Sequence, residues 1–94
     1  MNLFLMVPMS SLPMWSDDFL CVLFHPVSGA THMFSKWALI ALNFVAEGQD
    51  TRGLLVASLE ALASDAQVEV NSEFFVNLIE ELIRYDFLME GSTA

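Results

Sequence analysis

The side chains of this sequence that could perform nucleophilic or metal chemistry are one cysteine and two histidines, Cys21, His25 and His32. A cysteine nucleophile needs a base within hydrogen-bond reach, and a hairpin through this region could bring Cys21 to either histidine. Cys21 lies inside an apolar run, however, which should raise the pKa of its thiol, and no Lys or Arg lies close in sequence to favour the thiolate. We therefore interpret Cys21 as a buried structural residue and predict no catalytic residue.

The sequence also gives no support for a metal site or a cofactor site. The same three side chains are one ligand short of a structural zinc site, and their spacing matches no usual paired-ligand pattern. The four glycines are far apart, so the chain has no phosphate-binding loop. Glu80 and Glu81 are neighbours on a predicted helix and point in different directions, which argues against a shared acid–base pair. We predict no metal, no cofactor and no enzymatic activity.

The charge balance argues against two classes of partner. Lys and Arg number 3 against 12 Asp and Glu, a net charge of −9. Nucleic acids and anionic membranes are bound largely through Lys and Arg, so neither is an expected partner. The single cysteine forms no disulfide within the chain, in keeping with a reducing cytoplasm, which is the expected location. The uncharged residues 1–16 lack a basic start and are interrupted by prolines, unlike a signal peptide or a membrane helix.

The composition predicts one folded domain that keeps some apolar surface exposed to solvent. The chain has 94 residues, of which 55% are hydrophobic and 16% charged, too apolar a mixture for a disordered segment. A chain this short removes only roughly two-thirds of its unfolded surface from water on folding. Some hydrophobic surface should therefore remain exposed, and such surface usually meets a partner.

A β-hairpin is the clearest local signal. The apolar run Phe19–Phe24 is followed by a loop with Pro and Gly, residues 25–29, and then by the strand-like segment Ala30–Phe34. Pro26 has no N–H to donate and should lie outside the paired ladder. An earlier strand around residues 11–15 would complete a three-stranded sheet.

Three segments with helical spacing follow the hairpin, each preceded by a residue whose side chain can cap a helix. The first begins at Lys36 after Ser35 and stops by Gly48, the second begins after Asp50 or Thr51 and ends near Ser64, and the third begins at Asn71 or Ser72. A turn and a short extended segment over residues 85–90 close the pattern. We predict an α+β, winged-helix-like fold with a three-stranded antiparallel sheet packed on three helices.

This fold divides the chain into three parts. Residues 1–14 form an apolar lead-in that could join the first strand, residues 15–90 form the domain, and residues 91–94 form a frayed tail.

The stretch Val22–Ser35, the apolar helix after it and the closing run Arg84–Leu88 resemble the PqqD-like family, in particular its branch found with kinases related to the HPr kinase. In that branch a hydrophobic strand is followed by a Pro-x-Ser-Gly turn and then by Thr-His with an apolar pair. The residues that match are Pro26, Ser28, Gly29, Thr31, His32 and Phe34. The resemblance covers about residues 15–90 and leaves residues 1–14 unaligned.

The resemblance implies a non-catalytic peptide chaperone that recognises the leader of a ribosomally made precursor peptide and presents it to modifying enzymes, among them an HPr-kinase-related protein. The leader would add a strand to the edge of the third strand and lie in the groove formed with the third helix. Carried onto this chain, the peptide-binding residues are Ala30, Thr31, His32, Met33 and Phe34 on the strand and Phe74, Phe75, Leu78, Ile79 and Leu82 on the helix.

Several alternatives stay open at the level of sequence. Helical spacing does not decide which residues of the third helix face the groove, and Phe74 either extends the core or lies exposed beside the sheet. The ring of His32 is either half-buried and bonded within the fold or available to a partner. The acidic third helix suggests a basic segment bound near Glu73, Glu80 or Glu81. A different class of function is a structural or regulatory subunit whose open strand edge closes a homo-oligomer.

Overall fold

The structure of the chain is a computed structural model that describes residues 1–11 and 14–91. Within these residues it contains five strands and three helices, with a single 3₁₀ turn at Met9–Ser11. In chain order the elements are β1 (Asn2–Leu5), β2 (Met14–Ser16), β3 (Leu20–Phe24), β4 (Thr31–Ser35), α1 (Trp37–Ala46), α2 (Arg52–Asp65), α3 (Ser72–Arg84) and β5 (Leu88–Gly91). Gly91, predicted as the first residue of a frayed tail over residues 91–94, is instead the last residue of β5, opposite Asn2. The rest of that tail, and residues 12 and 13 of the predicted first strand, lie outside the described residues.

Strands β2, β3 and β4 form an antiparallel sheet in chain order, which leaves β4 at one edge. The predicted α+β class, with a three-stranded antiparallel sheet and three helices, is therefore confirmed. The predicted hairpin is β3 and β4, and its turn is closed by the N–H of Gly29, which donates to the carbonyl of His25 at 2.8 Å. Gly29 has a φ of 75°, a conformation that glycine adopts at no steric cost.

The two faces of this sheet differ in burial. Cys21 and Leu23 on β3 are fully buried, and they pair with Phe34 and His32 on β4, so these four side chains share the inner face. The residues between them point to the opposite, outer face. The inner face packs into the core, whose largest fully buried side chains are Phe75, Phe87, Leu3, Leu23, Leu42, Leu55, Leu59, Ile79, Leu82, Leu88 and Cys21.

Side-chain caps fix the starts of the second and third helices. The Thr51 hydroxyl accepts a hydrogen bond from the N–H of Leu54 at 3.2 Å, and the Asn71 amide oxygen accepts one from the N–H of Phe74 at 2.9 Å. Of the alternatives that the sequence offered, Thr51 and Asn71 are therefore the caps.

The first helix begins one residue later than predicted, at Trp37, with Lys36 at the cap position. The Ser35 hydroxyl nevertheless accepts a hydrogen bond from the N–H of Trp37 at 3.2 Å, so it still satisfies a free donor of the first turn. At the other end the chain leaves the helix through Gly48, which has a φ of 104°.

The N-terminal segment is a strand of a second sheet, which the sequence did not predict. β1 pairs antiparallel with β5, with Leu3 opposite Glu90 and Leu5 opposite Leu88. The side chain of Leu3 is 1% exposed, and its N–H donates to the carbonyl of Asp50 at 2.6 Å. The lead-in is thus part of the core.

One arginine connects this second sheet to the helices. Arg52, at the start of α2, forms an ion pair with Glu80 on α3 and donates from Nε and Nη2 to the carboxylate of Glu90 on β5 at 2.7 and 2.9 Å. The hydrogen bonds from Arg52 lower the pKa of Glu90. They also raise the pKa of Arg52 itself.

No helix in the described part of the chain is long and apolar enough to span a membrane.

Candidate functional site

The hydrogen-bond pattern between β3 and β4 shows which backbone groups are left at the sheet edge. At one end of the hairpin the N–H of His25 donates to the carbonyl of Ala30 at 2.9 Å, and at the other the N–H of Lys36 donates to the carbonyl of Phe19 at 3.0 Å. Opposed residues of an antiparallel pair alternate between hydrogen-bonded and non-hydrogen-bonded pairs. The two end pairs therefore fix the pattern for every residue between them.

Counting inward from either end, His32 and Phe34 direct their N–H and C=O groups toward β3. The backbone groups of Thr31 and Met33 point the other way, to the open edge. This edge can pair with an added strand, because unpaired N–H and C=O groups in a row are a template for one.

The edge borders a groove between β4 and α3 with a volume of about 360 Å³. The sheet contributes Leu20, Met33, Phe34 and Ser35, and the helix contributes Phe74, Asn77, Leu78 and Glu81. The helix positions follow the spacing of one helical face, so a single side of α3 lines the groove along its length. An exposed strand edge and an open helix face thus lie side by side.

The other predicted helix residues lie in the core instead of the groove. Phe75, Ile79 and Leu82 are at most 1% exposed. The ring of Phe75 packs edge to face against Trp37 of α1, with centroids 5.3 Å apart, and so holds α3 on the helical layer. Phe74 is 36% exposed at the groove, which answers the question that the sequence left open.

Three lining residues are absent from the sequence prediction: Leu20, Ser35 and Asn77. Asn77 has a signal in the sequence, since it follows Phe74 by three positions and belongs to the same helical face. Leu20 and Ser35 oppose one another in the hairpin register, and their place beside α3 depends on tertiary packing.

The first residues of the predicted strand site lie away from the groove. Ala30 precedes β4 and is bonded to His25, and Thr31 is exposed at the open edge. His32 is half-buried, with its ring 4.5 Å from that of Tyr85 and 5.7 Å from that of Phe87 between centroids. His32 therefore packs within an aromatic cluster that joins β4 to the segment after α3.

His25 is buried, and both of its ring nitrogens have partners. Its Nδ1 accepts hydrogen bonds from the N–H groups of Val27 and Ser28, both at 3.3 Å. Its Nε2 therefore carries the hydrogen and donates to the carbonyl of Asp86 at 3.0 Å. Asp86 has a φ of 65°, so His25 secures an unusual turn between α3 and β5 as well as the hairpin loop.

Cys21 has the surroundings of a structural residue. Its side chain is fully buried, burial raises the pKa of its thiol, and the Sγ–H donates to the carbonyl of Ser35 at 3.4 Å. Among residues 1–11 and 14–91, no three His, Cys, Asp or Glu side chains are grouped as a metal site would require.

The groove lies beside an open strand edge, and this arrangement is suited to binding an extended chain.

The two adjacent glutamates of α3 have different roles. The carboxylate of Glu80 pairs with Arg52 and is not among the groove-lining side chains. Glu81 lines the groove and is the one charged side chain that does so among the residues that the structure describes. Of the acidic residues that the sequence suggested for a basic ligand, Glu81 is thus the one placed to meet it.

A second cavity of about 400 Å³ lies beyond the start of α1, between the turn into β3 and the end of α2. Its lining residues are Asp18, Phe19, Lys36, Trp37, Ile40, Leu62, Ala66 and Val68. It borders no edge strand, which distinguishes it from the groove beside β4.

Comparison with known proteins adds no relative. No family model matches the chain, and no curated protein or solved structure does so either.

Proposed function

We propose that this chain is a non-catalytic peptide-binding module that captures an extended segment as an additional strand on β4. The observation that carries the proposal is the open edge at Thr31 and Met33, placed beside a groove whose other wall is α3. Main-chain hydrogen bonds to this edge would supply affinity that does not depend on the peptide's sequence, and alternate side chains in the groove would supply specificity.

The lining of the groove defines the chemistry of the segment. Phe34, Phe74 and Leu78 form an apolar wall that suits large aliphatic or aromatic side chains. Asn77 can exchange hydrogen bonds with a polar group, and Glu81 favours a Lys or Arg. The segment that fits best is therefore extended, with apolar side chains at alternate positions and a basic residue at one end.

The resemblance to the PqqD-like family supports a particular source for this segment. We propose that it is the leader of a ribosomally made precursor peptide, and that the chain presents the leader to modifying enzymes, including an HPr-kinase-related protein. A chaperone of this kind needs no reaction centre of its own. The proposed setting is the cytoplasm, where precursor peptides are made.

The test replaces Met33 with proline, because Pro lacks the N–H that strand addition requires. The Met33 N–H points away from β3, so Met33→Pro removes no bond of the hairpin, and proline is tolerated on edge strands. We expect Met33→Pro to weaken binding of leader peptides encoded beside this chain's gene by roughly tenfold or more, since a lost backbone hydrogen bond and a clashing ring act together.

The matched control is Met33→Ala, which shortens the same side chain but keeps the N–H. We expect this variant to bind more tightly than Met33→Pro, and circular dichroism should show both variants folded. Equal binding by Met33→Pro, Met33→Ala and the unchanged protein would contradict strand addition. If Met33→Pro instead lowered the molecular mass in solution and left peptide binding unchanged, the open edge would serve homo-oligomerisation.

A further inference from the structure

The second cavity, between the start of α1 and the end of α2, combines an apolar lining with two opposite charges. The charged residues that line it are Asp18 and Lys36. The apolar residues of its lining are Phe19, Trp37, Ile40, Leu62, Ala66 and Val68. Its volume of about 400 Å³ lies in the range of small-molecule sites, which are mostly apolar with a few placed polar groups.

The hairpin brings the two charged residues close together at the cavity. The N–H of Lys36 donates to the carbonyl of Phe19 at 3.0 Å, so the hairpin stays paired beyond the ends of β3 and β4. Asp18 precedes Phe19 and therefore lies near Lys36 across the hairpin. The two charges do not pair with each other, since the ion pairs found within residues 1–11 and 14–91 all involve Arg52.

The neighbouring carboxylate of Asp17 has a different task. It accepts hydrogen bonds from the N–H groups of Phe19 and Leu20 at 2.7 and 2.8 Å, and so it holds the turn into β3. Asp17 does not line the cavity. The turn thus uses one acidic residue for its own backbone and places the other, Asp18, at the cavity.

The two charges determine which class of ligand suits the cavity. A carboxylate alone would meet Asp18 and a chain with a net charge of −9, and an amine alone would meet Lys36. A neutral apolar molecule would cover both charges and give neither a partner, which costs free energy. A molecule that carries an ammonium group, a carboxylate and an apolar side chain matches both charges and has no net charge.

We propose that the second cavity binds a free α-amino acid with a large apolar side chain. Its ammonium group pairs with Asp18, its carboxylate pairs with Lys36, and its side chain packs against Trp37 and the apolar lining. The proposal does not rest on peptide capture at β4, because none of these three residues lines the groove.

Tryptophan fluorescence tests the proposal, with L-leucine as the probe. The chain has two tryptophans, and Trp15 lies outside the cavity, so Trp15→Phe leaves Trp37 as the sole reporter. We expect a saturable change in Trp37 emission with a Kd of about 1 mM, because so small a ligand makes few contacts. No saturable change in emission or in the amide chemical shifts of α1, at about ten times this concentration, would overturn the proposal.

Two analogues of leucine separate the contributions of its charges. N-acetyl-L-leucine lacks the ammonium group, and L-leucinamide lacks the carboxylate. Each should bind at least about tenfold more weakly than leucine, because each leaves one charge of the cavity without a partner. Equal affinity for leucine and both analogues would show that apolar contact alone holds the ligand, and the proposed pairing would be wrong.

Two substitutions assign the charges to residues. Lys36→Gln should raise the Kd for leucine about tenfold without weakening L-leucinamide, and Asp18→Asn should do the same without weakening N-acetyl-L-leucine. Arg84→Gln and Glu60→Gln are the matched controls, since each removes one charge at an exposed position outside the cavity. Equal effects of Lys36→Gln and Arg84→Gln would show that only net charge matters, and would overturn the assignment.

Discussion

The adjacent glutamates Glu80 and Glu81 lie on two sides of α3 that differ in how far other parts of the chain cover them. On one side Glu80 pairs with Arg52, which also holds Glu90 of β5, and the neighbouring strand β1 is buried through Leu3. On the other side Glu81 lines a groove beside β4. One side is closed by internal contacts and the other is left open.

The difference shows how a small domain can keep an open strand edge without losing its fold. The closed side supplies stability through buried side chains and ion pairs within the chain. The open side leaves the backbone groups of Thr31 and Met33 without partners in the hairpin. Substitutions on the closed side should therefore change the free energy of unfolding, and substitutions on the open side should change binding.

Leu3→Ala should give the largest change in stability. The side chain is 1% exposed, and removing it leaves a cavity between β1 and the helices. We expect the free energy of unfolding to fall by about 2–5 kcal/mol, measured by urea denaturation. Met1→Ala is the control, because Met1 is 77% exposed and should cost little. Equal effects at the two positions would show that β1 is not part of the core.

Asn71→Ala should lower stability less than Leu3→Ala does, and it should weaken peptide binding as well. The Asn71 side chain accepts the N–H of Phe74, so its loss frays the turn that presents Phe74 to the groove. We expect a loss of about 1 kcal/mol in unfolding free energy and weaker peptide binding. Ser72→Ala, at an exposed position one residue later, should change neither quantity. Equal loss of stability in the two variants would argue against the cap.

Arg52→Gln should lower stability in a manner that depends on pH. Hydrogen bonds from Arg52 lower the pKa of Glu90 below its ordinary value of 4.5, so the stabilisation is present above that pH and is lost as pH falls through the lower, folded-state pKa. The difference in urea midpoint between Arg52→Gln and the unchanged protein should be largest at neutral pH and should shrink below pH 4.5. A difference that stayed constant down to pH 2 would exclude this ion pair as its cause.

The smallest effect should be on the rate of peptide association, and it should differ between substitutions of Glu81 and Glu80. Glu81→Gln should slow association with a basic leader and reduce the salt dependence of its rate, because Glu81 lines the groove. Glu80→Gln should leave peptide binding unchanged, since Glu80 faces Arg52. Stopped-flow measurements at two salt concentrations distinguish the variants. The reverse ranking would place the peptide on the closed side.

Local signals in the sequence predicted most of the fold. The apolar run before Pro26, the glycine turn and the capping residues Thr51 and Asn71 act over a few positions, and the structure contains the hairpin and helices that they indicate. The pairing of β1 with β5 was missed because it joins the two ends of the chain. No local pattern reports a contact over such a separation.

The candidate site was predictable only in part. The hairpin pattern predicted the strand, its role as the open edge came from the resemblance to the PqqD-like family, and Phe74 stood out because it falls off the main apolar stripe of α3. The spacing could not separate Leu78, which reaches the groove, from Ile79 and Leu82, which do not, because all three belong to one wide apolar face. The packing of α3 on the core, including Phe75 against Trp37, decides which residues are left at the groove.

The most direct test of peptide capture on β4 is a titration of the protein with leader peptides encoded beside its gene, followed through backbone amide chemical shifts. The account predicts shifts at Thr31–Ser35 and at Phe74–Glu81, with little change at Asn2–Leu5 on the closed side. Saturating peptide that moved the amides of β1 and β5, and left those of β4 in place, would contradict it.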